Sequence, residues 1–251
     1  MNVQTKTKIP VVNILILASG KLYFKNADKE FPLCLTEFDG SSLLERIVNN
    51  TSGITNAQYA FTFLETEAIR YHLEKIARLL VPGAHCTNVP EMSQGSACTA
   101  LMAACQLDQE AELLIISANE LVDIELAEVI EEFRYRKLDA GTLTFRSIHP
   151  RYSYVSVNNE GLVIEAAQRE PISFFATAGI FWFAKTACFV EGAKNIIRKD
   201  ANVDGSYFVA PTFNELVLKQ KQIGIKELDV AKYFPLKTEQ QFEQFEGGKW
   251  A

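Results

Sequence analysis

The segment Val11–Ala18 (VVNILILA) is apolar almost without interruption and ends at Ser19-Gly20. A strand with one face in water alternates apolar and polar residues. A continuous run implies burial on both faces, which is the situation of a central strand in a parallel sheet covered by helices. The same pattern recurs in Glu112–Ser117 (ELLIIS), and Gln58–Leu64 (QYAFTFL) reads as a further strand. Between them lie helical patterns over Ser41–Asn50, Glu67–Leu80 and Ser96–Gln106, with a short strand at Cys86–Val89. Ser42 is placed to cap the first of these helices, with Glu45 three residues on completing a capping box. The alternation predicts an α/β fold with a mainly parallel sheet and helices on both sides.

After a helix over Ile124–Arg136 and a strand over Ala140–Phe145 the rhythm becomes richer in strands. Tyr152–Val157 and Gly161–Glu165 flank Asn158-Asn159-Glu160, which predicts a hairpin with Gly161 at a positive φ. Ala178–Phe183 and Gly224–Leu228 read as strands; Phe189–Arg198, Thr212–Lys219 and Thr238–Gln244 read as helices. With no Pro/Gly/Ser linker between the halves, residues 1–251 are expected to form one domain, with flexible termini at 1–10 and 246–251. Asp123 is read first as an N-cap for the helix that follows it.

Composition narrows the function classes. A net charge of −6 argues against a nucleic-acid binder, which would carry a basic stripe. It leaves room for a nucleotide pocket, which needs only local amides and a few cations. The five cysteines are scattered without a CxxC pair, which argues against a zinc site or a disulfide framework and for reduced thiols in a cytoplasmic protein. Val11–Ala18 is too short and too far from the start for a signal peptide or a membrane span. His72, His85 and His149 are too dispersed for a metal or triad signature, and the aromatic run around Phe181-Trp182-Phe183 reads as core.

A buried strand that runs into Leu17-Ala18-Ser19-Gly20 can cradle a phosphate on backbone N–H groups, although a single glycine is equally the mark of an ordinary turn. Several blocks extend that signal: Ile14–Gly20, Phe31-Pro32-Leu33, Thr36–Ile47, Gln94–Leu101, Leu113–Asp123, Ile148–Tyr154, Ala176–Phe183 and Ser206–Glu215. In this order they resemble the sugar nucleotidyltransferase family, which shares the Rossmann-like GT-A fold, and within it a capsule-biosynthesis branch often labelled as family 2 glycosyltransferases. The resemblance spans nearly the whole chain and implies transfer of a nucleotidyl group from a nucleoside triphosphate to a sugar phosphate or similar phosphorylated metabolite, with release of pyrophosphate, for surface polysaccharide. A GT-A glycosyltransferase using a nucleotide sugar, or a catalytically inactive nucleotide-binding homologue, is the alternative. A homo-oligomer is compatible with either.

The resemblance also implies a set of site residues. Ala18, Ser19, Gly20, Gln94, Gly95 and Ser96 would bind the nucleotide. Lys21, out of register with the family's arginine but directly after Gly20, is the candidate phosphate contact by that position, and Arg169, in a stretch similar to the family's Glu-Lys-Pro element, would touch the sugar phosphate. Gly179, Tyr207, Asn214 and Glu215 would contact the sugar. Mg²⁺ would be held at Asn119 and Glu120. Here the sequence departs from the family, which has an aspartate at the place of Asn119. A second family aspartate has no counterpart in Tyr233–Glu239 (YFPLKTE), and the lysine of the family's Lys-Pro-Leu element is replaced by Leu33 or Cys34. Lys25 and Lys29 are further loop lysines out of register with the family's cation.

Overall fold

The computed structural model describes residues 9–20, 32–238, 240–241 and 244–245. Strand β1 (Val12–Leu17) is buried along its whole length. A small hairpin of β2 (Glu37–Phe38) and β3 (Ser41–Ser42) leads into helix α1 (Leu43–Asn50). Ser42 caps that helix as expected: its Oγ accepts the Glu45 N–H at 3.2 Å. Strand β4 (Ala57–Leu64) returns parallel to β1.

The helical pattern that follows is broken into α2 (Glu65–Tyr71) and α3 (Leu73–Leu80). The break is His72, in the left-handed region at φ 55°, whose carbonyl accepts the amides of Lys75 and Ile76. The redirected helix buries Leu73 and Ala77 completely while Ile69 stays in solvent. That burial offsets a left-handed backbone cost on the order of 1 kcal/mol. Strand β5 (His85–Val89), helix α4 (Ser96–Ala104) and strand β6 (Glu112–Ser117) complete the first half.

In the second half come β7 (Glu120–Val122), α5 (Leu126–Tyr135), β8 (Ala140–Arg146), β9 (Ser153–Val157), β10 (Val163–Gln168) and β11 (Phe175–Phe183). They are followed by α6 (Thr186–Arg198), α7 (Thr212–Val217), β12 (Ile223–Glu227) and β13 (Tyr233–Pro235). Asp123 does not cap α5. The β7–β13 pairing keeps the chain extended past Val122, and the Asp123 N–H donates to the Lys232 carbonyl at 2.9 Å, so the helix begins later, at Leu126. The expected hairpin is present: β9 and β10 pair antiparallel, and Asn158 Oδ1 accepts the amides of Glu160 and Leu162. Of the helix expected over 238–244, residues 240, 241 and 244 are helical and 239, 242 and 243 lie outside the described residues, as do residues 1–8 and 246–251.

Among the described residues these strands make a Rossmann-like α/β fold around one mixed sheet of nine strands, in the order β10-β9-β11-β6-β1-β4-β5, with β8 pairing β11 and β12. The block β6-β1-β4-β5 is parallel, and β11 runs antiparallel to β6. Along β1, Ile14 and Ile16 enter the core that contains Leu43, Phe63 and Phe133; Leu15 and Leu17 enter the opposite core with Ala100, Ala104 and Phe189. Helices thus cover both faces, which is why the β1 sequence does not alternate. The buried alanines of α4 let its backbone lie close to β1 and β4. No helix among the described residues is long and apolar enough to cross a membrane. Ser42→Ala removes the acceptor for an otherwise orphaned helix amide and is expected to cost about 1 kcal/mol in urea unfolding. A change under about 0.3 kcal/mol would show that water replaces the cap at no cost.

Candidate functional site

Parallel neighbours β1 and β6 end in register, with Leu17 opposite Ser117. Beyond their carboxyl ends, where open α/β sheets bind ligands, lies a cleft of about 220 Å³. Its floor is Leu17–Gly20 and Ser117–Asn119, and its walls come from Leu33, Cys34 and the start of α4 at Ser93–Thr99. Gly20 and Gly95 therefore open onto one space. Among the described residues a Cβ built on Gly20 meets nothing within 4 Å. Gly95 is different. Its φ is +93°, and a Cβ would stand 2.3 Å from the Tyr207 carbonyl oxygen. The Tyr207 N–H donates to the Gln94 carbonyl and the Ala97 N–H donates to the Tyr207 carbonyl, which clamps the α4 entrance in place. Thr99 Oγ1 donates to Ser93 Oγ at 3.1 Å, leaving a hydroxyl-lined wall. Among the described residues this half of the cleft carries no charged side chain. The Cys34 thiol is pushed up to about 12 by burial, reinforced by Glu67, so it stays protonated and is no nucleophile.

A second space of about 260 Å³ shares Ser96, Ser117 and Asn119 with the first, so the two are halves of one cleft. Its character is the reverse: Arg151, Arg169, Lys237 and Glu120 line it. Arg169 sits at φ 62°, and its guanidinium donates to the Asp204 carboxylate at 2.6 Å while half of the side chain remains exposed. Glu120 is 3% exposed. Tyr233 donates to its Oε2 at 2.7 Å, and Lys237 Nζ forms an ion pair with its Oε1. Burial, and after it the Glu120 charge, hold the Tyr233 phenol far above its ordinary range, so it remains a donor. The carboxylate lies over Gly179, where β11 shifts register against β8; a Cβ there would come within 2.7 Å of the Glu120 carboxyl carbon.

Of the residues expected in the site, the structure brings Ala18, Ser19, Gly20, Gly95 and Ser96 together around the first half, with Asn119 at the junction. Glu120, Arg169 and Gly179 stand around the second. Four expected residues are committed elsewhere. Gln94 is exposed and contributes its carbonyl to Tyr207 rather than a side chain to the cleft. Tyr207 packs its backbone on Gly95 and donates its hydroxyl to Asp200 at 2.7 Å. Asn214 bonds the Ala166 amide and carbonyl, both at 2.8 Å, and so ties α7 to β10. Glu215 is buried against Lys199, at 2.7 Å, away from the cleft. These three were expected to meet a sugar; they hold the framework behind it, and Phe208, Val209 and Ala210 line the cleft in their stead. Gly179 makes room for Glu120. Lys21, Lys25 and Lys29 lie outside the described residues.

Sequence reasoning missed Ser93, Thr99, Arg151 and Lys237. Arg151 lies inside the block Ile148–Tyr154, and Lys237 inside Tyr233–Glu239, both of which the resemblance had singled out without assigning these side chains. A Mg²⁺ site at Asn119 and Glu120 does not fit the residues present. Both Glu120 oxygens are engaged, Asn119 offers only a neutral oxygen, and no group of three His, Cys, Asp or Glu residues able to hold a metal ion occurs among the described residues.

The clamp at Gly95 yields a direct expectation. Gly95→Ala combines a left-handed backbone with a Cβ inside the Tyr207 carbonyl, and should lower stability by at least about 2 kcal/mol in denaturant unfolding. An unfolding midpoint equal to wild type would show that the two segments separate freely.

No family model and no curated protein matches the chain. Solved structures do match its fold. The chain superposes on the nucleoside-diphosphate-sugar pyrophosphorylase from Vibrio cholerae RC9 with a TM-score of 0.76 at 16% identity, over 94% of this chain and 100% of that one. It superposes on the inositol-1-phosphate CTP transferase from T. maritima with a TM-score of 0.70 at 14% identity, over 94% of both chains. The fold is therefore shared with these two structures nearly end to end.

Proposed function

We propose that the chain transfers a nucleotidyl group from a nucleoside triphosphate to a sugar phosphate, or a similar phosphorylated metabolite, and releases pyrophosphate. The observation that carries this reading is the division of one cleft into a half whose described side chains are uncharged and a half lined by Arg151, Arg169 and Lys237, joined at Ser96, Ser117 and Asn119. A nucleoside suits the first half, where Ser93, Ser96 and Thr99 at the start of α4 offer hydroxyls. A phosphate monoester suits Arg151, Arg169 and Lys237. The junction then sets the acceptor phosphate beside the α-phosphorus. An acceptor phosphate oxygen attacks that phosphorus, the bond to the bridging α–β oxygen breaks, and pyrophosphate departs with its electrons.

No covalent enzyme step is needed, so alignment and charge supply the rate. Arg169 is planar and can hold two phosphate oxygens at once, in exchange for the exposed Asp204. Lys21, next in sequence to Gly20, is assigned a phosphate contact in this reading by that position alone, since it is out of register with the family's arginine. The sequence blocks, rather than the site, point to surface polysaccharide as the destination of the product.

The test is a pyrophosphate-release screen of each nucleoside triphosphate against a panel of sugar 1-phosphates, with Mg²⁺ supplied as the triphosphate's counter-ion. Release with one particular pair is expected. Arg169→Ala should raise the KM for the acceptor by at least about tenfold, the loss of its charge-assisted hydrogen bonds to phosphate, with nucleotide affinity changed less than about twofold. Turnover of a finished nucleotide sugar alone would replace this reading with glycosyl transfer. Tight nucleotide binding without any turnover would replace it with a binding role.

A further inference from the structure

A carboxylate as deeply buried as Glu120 requires a compensating cation. In a cleft that handles phosphates that cation is commonly a divalent metal. Here it is a side chain, and the backbone fixes it there. Strand β13 pairs antiparallel with β7, with Pro235 opposite Glu120, and the Leu236 N–H donates to the Asn119 carbonyl at 2.8 Å. This ladder brings Lys237 to Glu120. The ammonium is also 4.8 Å from the centroid of the buried Tyr152 ring, and its side chain is 22% exposed, on the cleft wall. Mg²⁺ requires a near-octahedral oxygen shell at about 2.0–2.1 Å. To reach Glu120 it would have to expel Lys237 and the Tyr233 hydroxyl, or sit against an ammonium.

We propose that Lys237 takes on Glu120 the place of a protein-held divalent cation, and that its ammonium, rather than a metal ion, faces the anionic ligand from that wall. An ammonium has three donors; one is used by Glu120, and Lys237 lines the same space as Arg151 and Arg169. The inference rests on the nucleotidyl-transfer reading only for the ligand being a phosphate.

The test titrates Mn²⁺ alone into the unliganded full chain and reads free Mn²⁺ by electron paramagnetic resonance. Wild type and Glu120→Gln are expected to give the same titration. Lys237→Met, which leaves the carboxylate without its ammonium, is expected to bind one Mn²⁺ at least about tenfold more tightly than wild type. The double variant Glu120→Gln/Lys237→Met should lose that gain. A wild-type site tighter than about 100 μM that Glu120→Gln removes would overturn the proposal, as would a folded Lys237→Met that gains no affinity. Should Lys237→Met fail to fold, the comparison of wild type with Glu120→Gln decides alone. Because no nucleotide is present, this result is separate from the outcome of the pyrophosphate screen.

Discussion

Strand β1 is hydrogen-bonded to β4 on one edge and β6 on the other, with a packed layer against each face. Its backbone groups can find partners only in that register, because a slip would leave buried N–H and C=O groups unpaired. The ends of β1 and β6 are thereby fixed side by side, and the described residues that follow them, 18–20 and 118–119, floor the cleft. Helix α4 closes it because small residues let the helix settle close to the sheet, and because Gly95 lets the Tyr207 backbone lock the helix entrance. The site is a consequence of where the core strands stop.

The second structural decision is the latch formed by β7 and β13. It takes a segment far along the chain and lays it beside the residues that follow β6. One product is a buried cluster of Glu120, Tyr233 and Lys237 that completes the far wall. The carboxylate sits over Gly179, at a bulge of β11 against β8, where a side chain would exclude it. Charge in the described cleft is consequently uneven, and this unevenness, rather than any one residue, distinguishes a half suited to a nucleoside from a half suited to a phosphate.

The parts of the fold legible in the sequence are those dictated by local physics. Continuous apolar runs gave β1 and β6, Ser42 with Glu45 gave the start of α1, and Asn158 with Gly161 gave the hairpin. The break at His72 was hidden, because a left-handed residue other than glycine leaves no mark in a helical pattern and is held by tertiary burial. Strand β13 was equally hidden: its partner lies far away in sequence, and only that pairing shows why Lys237 belongs to the site and why Asp123 is not a cap. For the site, the order of motifs located Gly20, Gly95 and Asn119 around one space. The polar groups of Tyr207, Asn214 and Glu215 bond Asp200, Ala166 and Lys199 rather than lining that space. A motif fixes the path of the chain; the direction of a side chain depends on neighbours the motif does not contain.

The central claim is that a nucleotide occupies the space between the end of β1 and the start of α4. Hydrogen–deuterium exchange of the full chain, with ATP, CTP, GTP, UTP and dTTP added in turn, tests it without assuming turnover. The account predicts that at least one triphosphate slows exchange in peptides covering Leu17–Gly20, Ser93–Thr99 and Ser117–Asn119 together. Protection confined to other surfaces, or none with any of the five, would contradict it.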